Sequence, residues 1–243
     1  MFIPIYDGKT KQNISLQWVT LGIIALNIGI FLITRVGGEN SEAVNATTLA
    51  LGHVPSVFND LRVLPEPYRW IPDDYYALTA ITSAFVHGDF FHLLGNMLFL
   101  WVFGDNVEDA MGHIRFLIFY LLCAFAAAAF HAFTFPVSDS PLIGASGPAS
   151  GVLAAYLMLH PKVRVWVLFL GRIPLRLPAM YLLGGWIAFQ LFMFVTNLDS
   201  EVSWAAHVGG IVAGAVLVPL FKRRDVPLFD REPVEPASSL SDN

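Results

Sequence analysis

The chain has 243 residues, of which 56% are hydrophobic and only 14% charged, and its net charge is −5 at pH 7; its mean hydropathy is +0.60. This is too apolar for an ordinary soluble domain, and basic residues scattered through short loops give no surface for nucleic acid. An integral membrane protein is what remains. The single Cys123 lies in the apolar run 121–130, with neither a disulfide partner nor metal-ligand spacing, and reads as a small core residue.

In chain order, residues 1–15 read as a short cytoplasmic tail. The apolar run that follows lacks a small-residue cleavage signature, which predicts an uncleaved first span. Apolar runs at 16–34, 90–104, 115–134, 146–160, 178–196 and 202–221 are each long enough to approach or cross ~30 Å of hydrocarbon. The fold predicted is therefore an all-α membrane protein, a six-transmembrane-helix bundle over 16–221. Short connections after the second span make successive helices antiparallel neighbours. The Pro-, Asp- and Ser-rich end, 222–243, is predicted to be a disordered cytoplasmic tail.

Basic residues set the orientation. With the N-terminus inside, Lys9, Lys11, Arg115, Lys162, Arg164, Arg172, Arg176, Lys222, Arg223, Arg224 and Arg231 are cytoplasmic, and only Arg35, Arg62 and Arg69 are outside. This asymmetry predicts a multi-pass protein of the plasma or inner membrane with both termini cytoplasmic. The long first loop, from Arg35 to Tyr76, is then external. Its Leu, Val, Trp and Tyr residues alternate with Pro and acids, as in amphipathic pieces partly embedded in the membrane interface; packing of the loop on the bundle is the alternative.

The fourth span opens on a small-residue run, Gly144-Ala145-Ser146-Gly147-Pro148-Ala149-Ser150-Gly151. Ser146 can be read as a helix N-cap, accepting from its own helix's free N–H groups. On this run alone the N-cap is the commoner reading; the other makes Ser146 a nucleophile whose neighbouring N–H groups and positive helix end stabilise an oxyanion. Fifteen residues from Ser146 to His160 rise only about 22 Å, so Ser146 starts its helix below the outer surface. A helix start at that depth leaves N–H groups unpaired unless protein or a wet cavity surrounds it.

His207, about five residues into the sixth span, lies roughly 7 Å deep on the same side, level with Ser146. An ionisable residue inside a span points to catalysis or proton handling; a neutral histidine bonded to a neighbouring carbonyl is the alternative. Gly147 and Gly151 on the fourth span and Gly210 and Gly214 on the sixth form small-xxx-small stripes that let two membrane helices meet at backbone distance. In the second span, His92 and Asn96 are spaced i and i+4 on one face near the outer end, where two uncharged donors could hold an oxyanion. Metal binding competes for His87 and His92, but no further ligands cluster with them, and no metal or cofactor is expected. Position 148 is proline, so this is not the Gly-x-Ser-x-Gly elbow. With no acid near His207 at depth, the chemistry would rest on a Ser–His dyad.

Together, Gly144-Ala145-Ser146-Gly147, Ala206-His207-Val208-Gly209-Gly210, the His87, His92, Asn96 pattern, the Phe103-Gly104-Asp105-Asn106-Val107-Glu108-Asp109 turn and Arg115 resemble the rhomboid family of intramembrane serine proteases, in its compact six-span prokaryotic form. The resemblance covers about 10–222. It implies Ser146 as nucleophile, His207 as general base and acid, and His92, Asn96 and the Ser146 N–H as oxyanion donors. It also implies transmembrane segments of other proteins as substrates, cut near their outer ends. Some members carry an aromatic one turn after the serine, stacked on the histidine; here that residue is Ser150, and something else must orient His207. A Trp-Arg pair found in the first loop of some members is not clearly present. A non-proteolytic rhomboid-like binder or chaperone would keep the bundle and lose the dyad. A proton-coupled transporter would be expected to carry intramembrane acids or an inverted repeat.

Overall fold

The computed structural model describes residues 2–35, 42–64, 66, 68–169, 171–196 and 202–230. Helix α1 (Trp18–Thr34) leads into a first loop containing α2 (Glu42–Leu51) and α3 (Pro55–Phe58). A helical stretch with 3₁₀ turns at both ends, enclosing α4 (Thr79–Thr82), precedes a sharp bend. Beyond it α5 (Phe90–Phe99) runs through a π-turn (Leu100–Gly104) into α6 (Asp105–Met111) as one rod. Then come α7 (His113–Thr134), α8 (Ser146–Leu159), α9 (Ala179–Thr196) and α10 (Trp204–Phe221).

Among the described residues, three helices, α7, α9 and α10, are long and apolar enough to cross a membrane alone, and Tyr75–Phe85 with Phe90–Met111 forms a fourth candidate bent by 88°. Helices α1 and α8 are apolar but shorter. The second rod runs on past the expected end at 104 because its acidic turn finds partners elsewhere. Glu108, fully buried, accepts from Val19 N at 3.0 Å, Thr20 N at 2.8 Å and Thr20 Oγ1 at 2.6 Å, and pairs with His113 Nδ1 at 2.5 Å. A carboxylate on the N–H groups that open α1 satisfies donors that have no intrahelical acceptor and complements the helix dipole. Asp109 does the same for the preceding segment, accepting from the backbone N–H of Gln12, Asn13 and Ile14.

The all-α expectation is corrected by a small sheet. Strands β1 (Phe2–Tyr6), β2 (Arg164–Phe169) and β3 (Ile173–Pro178) form an antiparallel sheet in the order β1-β2-β3. The connection between the fourth and fifth spans is thus mostly hairpin. Arg164-Val165-Trp166-Val167 alternates, with Val165 and Val167 buried and Arg164 and Trp166 outward, and Gly171 takes the left-handed φ of +69° that the tight turn requires. Pro174 and Pro178 fall on an edge strand, where a missing N–H costs no ladder bond. The stretch read as a disordered tail from 222 is held as far as 230: Arg223 N donates to Ala110 O, Phe229 N to Met158 O, and Lys162 N to the Asp230 carboxylate. The remainder of that tail, 231–243, lies outside the described residues.

The first loop docks on the segment that leads to Ser146. His53 and Leu142 exchange backbone hydrogen bonds at 3.0 and 2.9 Å, and Ser56 Oγ donates to Asp139 at 2.6 Å. His53 is wholly buried, bonded through Nδ1 to Thr79 Oγ1, and burial lowers its pKa from 6.5 to about 4. Between about pH 6.5 and 4 the unfolded chain therefore binds a proton at His53 that the folded chain does not. Its contribution to stability is complete above that window and is lost as pH falls through it; Asp7, whose carboxyl is raised by burial, acts in the opposite sense. Melting temperature in detergent should fall on acidification over this range, and His53→Gln should flatten the slope. An unchanged slope would remove His53 as its source.

Candidate active site

Ser146 is the first residue of α8. The N-cap is Ala145, which has no side-chain cap, and Ser146 Oγ has no hydrogen-bond partner among the described residues. The hydroxyl is therefore not capping its own helix. The approach to it is fixed by bonds to other elements: Gly144 N donates to Ser83 O at 2.9 Å, and Ala145 N to His87 Nε2 at 3.3 Å. Gly144 sits at φ +112°, and a Cβ there would lie 2.6 Å from the His92 ring and 3.8 Å from Asn96 Nδ2. Only glycine satisfies both the backbone angle and the close approach. The face of α5 that carries His92 and Asn96 is thus the one turned toward the residues just before Ser146.

Asn96 is buried, and its Nδ2 donates to His87 Nε2 at 3.1 Å. Because Nε2 accepts from both Asn96 and Ala145, His87 must carry its proton on Nδ1. His87 thereby holds the amide of Asn96 in place and leaves the second Nδ2 hydrogen available. The sequence shows His87 as part of a pattern; its role as a shared acceptor depends on Ala145, far away in the chain.

His207 falls in the first turn of α10, capped by Ser203 Oγ accepting from Ala206 N at 3.3 Å. The hydroxyl of Ser203 also bonds His131 Nδ1 at 2.7 Å. The His207 ring lies between Trp186, at 6.4 Å, and Trp204, edge-on at 5.8 Å, and its Nδ1 donates to Gln190 Oε1 at 2.7 Å. Ser150, at the position where an aromatic would stack, instead turns its hydroxyl back onto Ser146 O at 2.6 Å. Trp186 and Gln190 were not singled out by sequence reasoning, although a lone amide within an apolar helix is a signal of an interhelical partner.

Helices α8 and α10 meet at backbone distance. A Cβ on Gly210 would come within 2.0 Å of Gly147 O, and one on Gly214 within 2.2 Å of Gly151 O. Gly151 is also hemmed in by Cys123 Sγ, and Gly147 by Ala127 Cβ. This packing sets Ser146 and His207 on the wall of one cavity of about 720 Å³, which His92, His131, Asp89 and Trp204 also line. No hydrogen bond joins Ser146 to His207 among the described residues; in an unliganded site such bonds are commonly loose and tighten with substrate. Chemically, the cavity combines a hydroxyl free of other bonds, an imidazole whose Nε2 is available, and donors beside a helix N-terminus.

Comparison with known proteins gives a consistent picture. A family model, Rhomboid domain, matches residues 74–224. The chain is 29% identical over 232 residues to "Rhomboid protease AarA" of Providencia stuartii, covering 87% of this chain and 76% of that protein. It is 27% identical over 221 residues to "RHOMBOID-like protein 12, mitochondrial" of Arabidopsis thaliana, covering 84% of this chain and 59% of the relative. Against "Rhomboid protein 1, mitochondrial" of Saccharomyces cerevisiae it is 28% identical over 184 residues, covering 71% of this chain and 49% of that protein. With a rhomboid domain matched over more than half of the chain and apolar helices long enough to span, the chain is a multi-pass membrane protein and belongs to the rhomboid family.

Proposed function

We propose that this chain is an intramembrane serine endopeptidase that cuts transmembrane segments of other membrane proteins through Ser146 and His207. The observation that carries the reading is the shared cavity, in which Ser146, His207 and His92 come together from three different helices. In the reaction, Ser146 Oγ attacks the scissile carbonyl as its proton passes to His207 Nε2. The tetrahedral oxyanion accepts hydrogen bonds from the Ser146 N–H, His92 and Asn96. Collapse breaks the C–N bond, the amine leaves with the proton from His207, and water activated by His207 then hydrolyses the seryl ester. A substrate helix must unwind first, because its carbonyls are already hydrogen-bonded and shielded.

The topology that suits this reading has six crossings, α1, the α5–α6 rod, α7, α8, α9 and α10, in the plasma or inner membrane, with both termini cytoplasmic and the cavity open outward. The short α8, 14 residues, then starts its nucleophile below the outer surface. Leu61, Val63, Trp70 and Tyr75 are exposed in the first loop, and the membrane interface is the medium that fits such a surface. A cysteine replacing Asp139 should react with a membrane-impermeant maleimide from outside, and one replacing Arg172 should not; the reverse labelling would invert the topology.

A membrane-protein binder or chaperone on the same bundle is the second reading, one that needs the helices and the cavity without the chemistry. Incubating purified protein with a panel of single-span substrates and mapping products by mass separates the two: cleavage that Ser146→Ala abolishes supports the protease, and binding without cleavage supports the binder. The oxyanion assignment has its own check. Asn96→Ala should lower kcat by roughly one to three powers of ten with little change in KM. A destabilised Asn96→Ala protein with unchanged kcat per folded molecule would take Asn96 out of the site.

A further inference from the structure

The contact between Gln190 and His207 has a consequence for the proposed dyad, on which the inference rests. We propose that Gln190 is a positioning residue that fixes the tautomer and orientation of His207, standing where a serine hydrolase usually has a carboxylate. Gln190 is 2% exposed, and its Oε1 lies 2.7 Å from His207 Nδ1. An amide oxygen can only accept, so Nδ1 carries the imidazole hydrogen. Nε2 is then unprotonated, which is the state a base needs in order to take a proton from Ser146.

Among the described residues, no second hydrogen bond to the ring competes with this one. Trp186 and Trp204 contact it through their rings at 6.4 and 5.8 Å, which fixes its plane without choosing between nitrogens. Ser150 is committed to the Ser146 carbonyl. Trp186 and Gln190 are spaced i and i+4 on α9, so one face of that helix supplies both the wall and the acceptor. A neutral amide also suits the location. An ionised carboxylate at membrane depth carries a large desolvation cost, and an amide makes the same hydrogen bond without it. The bland account, a buried glutamine satisfied by whatever polar group lies nearest, predicts an effect on stability and none on the histidine tautomer.

The test uses the full chain reconstituted in lipid, with Gln190→Met, which keeps the length and removes the acceptor, and Gln190→Glu, which keeps an acceptor. Nitrogen-15 spectra of labelled histidine, with the His207 signals identified by their loss in His207→Ala, should show Nδ1 protonated and Nε2 bare in the wild type. In Gln190→Met the Nε2-protonated form should appear. Gln190→Glu should keep the wild-type tautomer. In parallel, Gln190→Met should lower kcat about ten- to a thousandfold at unchanged KM, short of the ~10⁴ seen when a serine-protease histidine is held in the wrong tautomer, and Gln190→Glu should recover most of it. A wild type with Nε2 protonated, an unchanged tautomer in Gln190→Met, or equal losses of kcat in both folded variants would overturn the proposal. If the wild type cleaves nothing, the protease reading fails by itself, and the spectra still decide whether Gln190 sets the tautomer.

Discussion

Ser146→Ala and His207→Ala should each reduce cleavage by at least about three powers of ten, and the double variant should be no slower than either single one. In the proposed mechanism the two groups act on one proton in one step, so removing either should remove the whole function of the pair. The variants should stay folded. Ser146 Oγ has no hydrogen-bond partner among the described residues, so its deletion leaves no buried group unpaired. His207→Ala does free Gln190, and a modest loss of melting temperature is expected there without collapse of the bundle. Cleavage rates and melting curves measured on the same preparations check both statements. Partial losses that multiply in the double variant would mean that the two residues do not act as a unit.

Gly210→Ala should be the most damaging single-methyl change in the bundle. Its Cβ would stand 2.0 Å from the Gly147 carbonyl oxygen, a backbone atom that no rotamer change can move aside. The helices must separate instead, opening contacts along the α8–α10 seam and shifting Ser146 relative to His207. A loss of about 3 kcal/mol is expected from this overpacking, together with a fall in kcat greater than the folded fraction explains, because small displacements of reacting groups are costly. Gly184→Ala on α9 is the control, since nothing lies within 4 Å of its Cβ position. There the substitution should be neutral or slightly stabilising through helix propensity. Equal behaviour of the two variants would show that the seam is not the constraint.

How far the sequence reaches can be judged residue by residue. Span ends predict Ser146 and His207 at one depth because helix rise is fixed, and the two line one cavity; the glycine spacing points to the seam because only small residues permit such an approach. The sheet is invisible for the opposite reason: β1 pairs Phe2 with Phe169, so its partner lies most of the chain away and residues 2–6 alone do not name it. The acidic turn at 105–109 looked like the end of a span, yet it is helical because Glu108 and Asp109 are bonded to backbone N–H groups of the N-terminal segment. His53 pairing with Leu142, His87 serving Asn96 and Ala145, and Gln190 holding His207 are likewise contacts between distant segments. Each residue type is a reasonable polar candidate by itself; its role exists only after folding.

Covalent labelling decides whether Ser146 is a nucleophile activated by His207. Protein in lipid would be treated with a fluorophosphonate, digested and mapped by mass. A single adduct on Ser146 is expected, slowed to background in His207→Ala. An adduct on Ser150, or labelling of Ser146 at the wild-type rate without His207, would contradict that assignment.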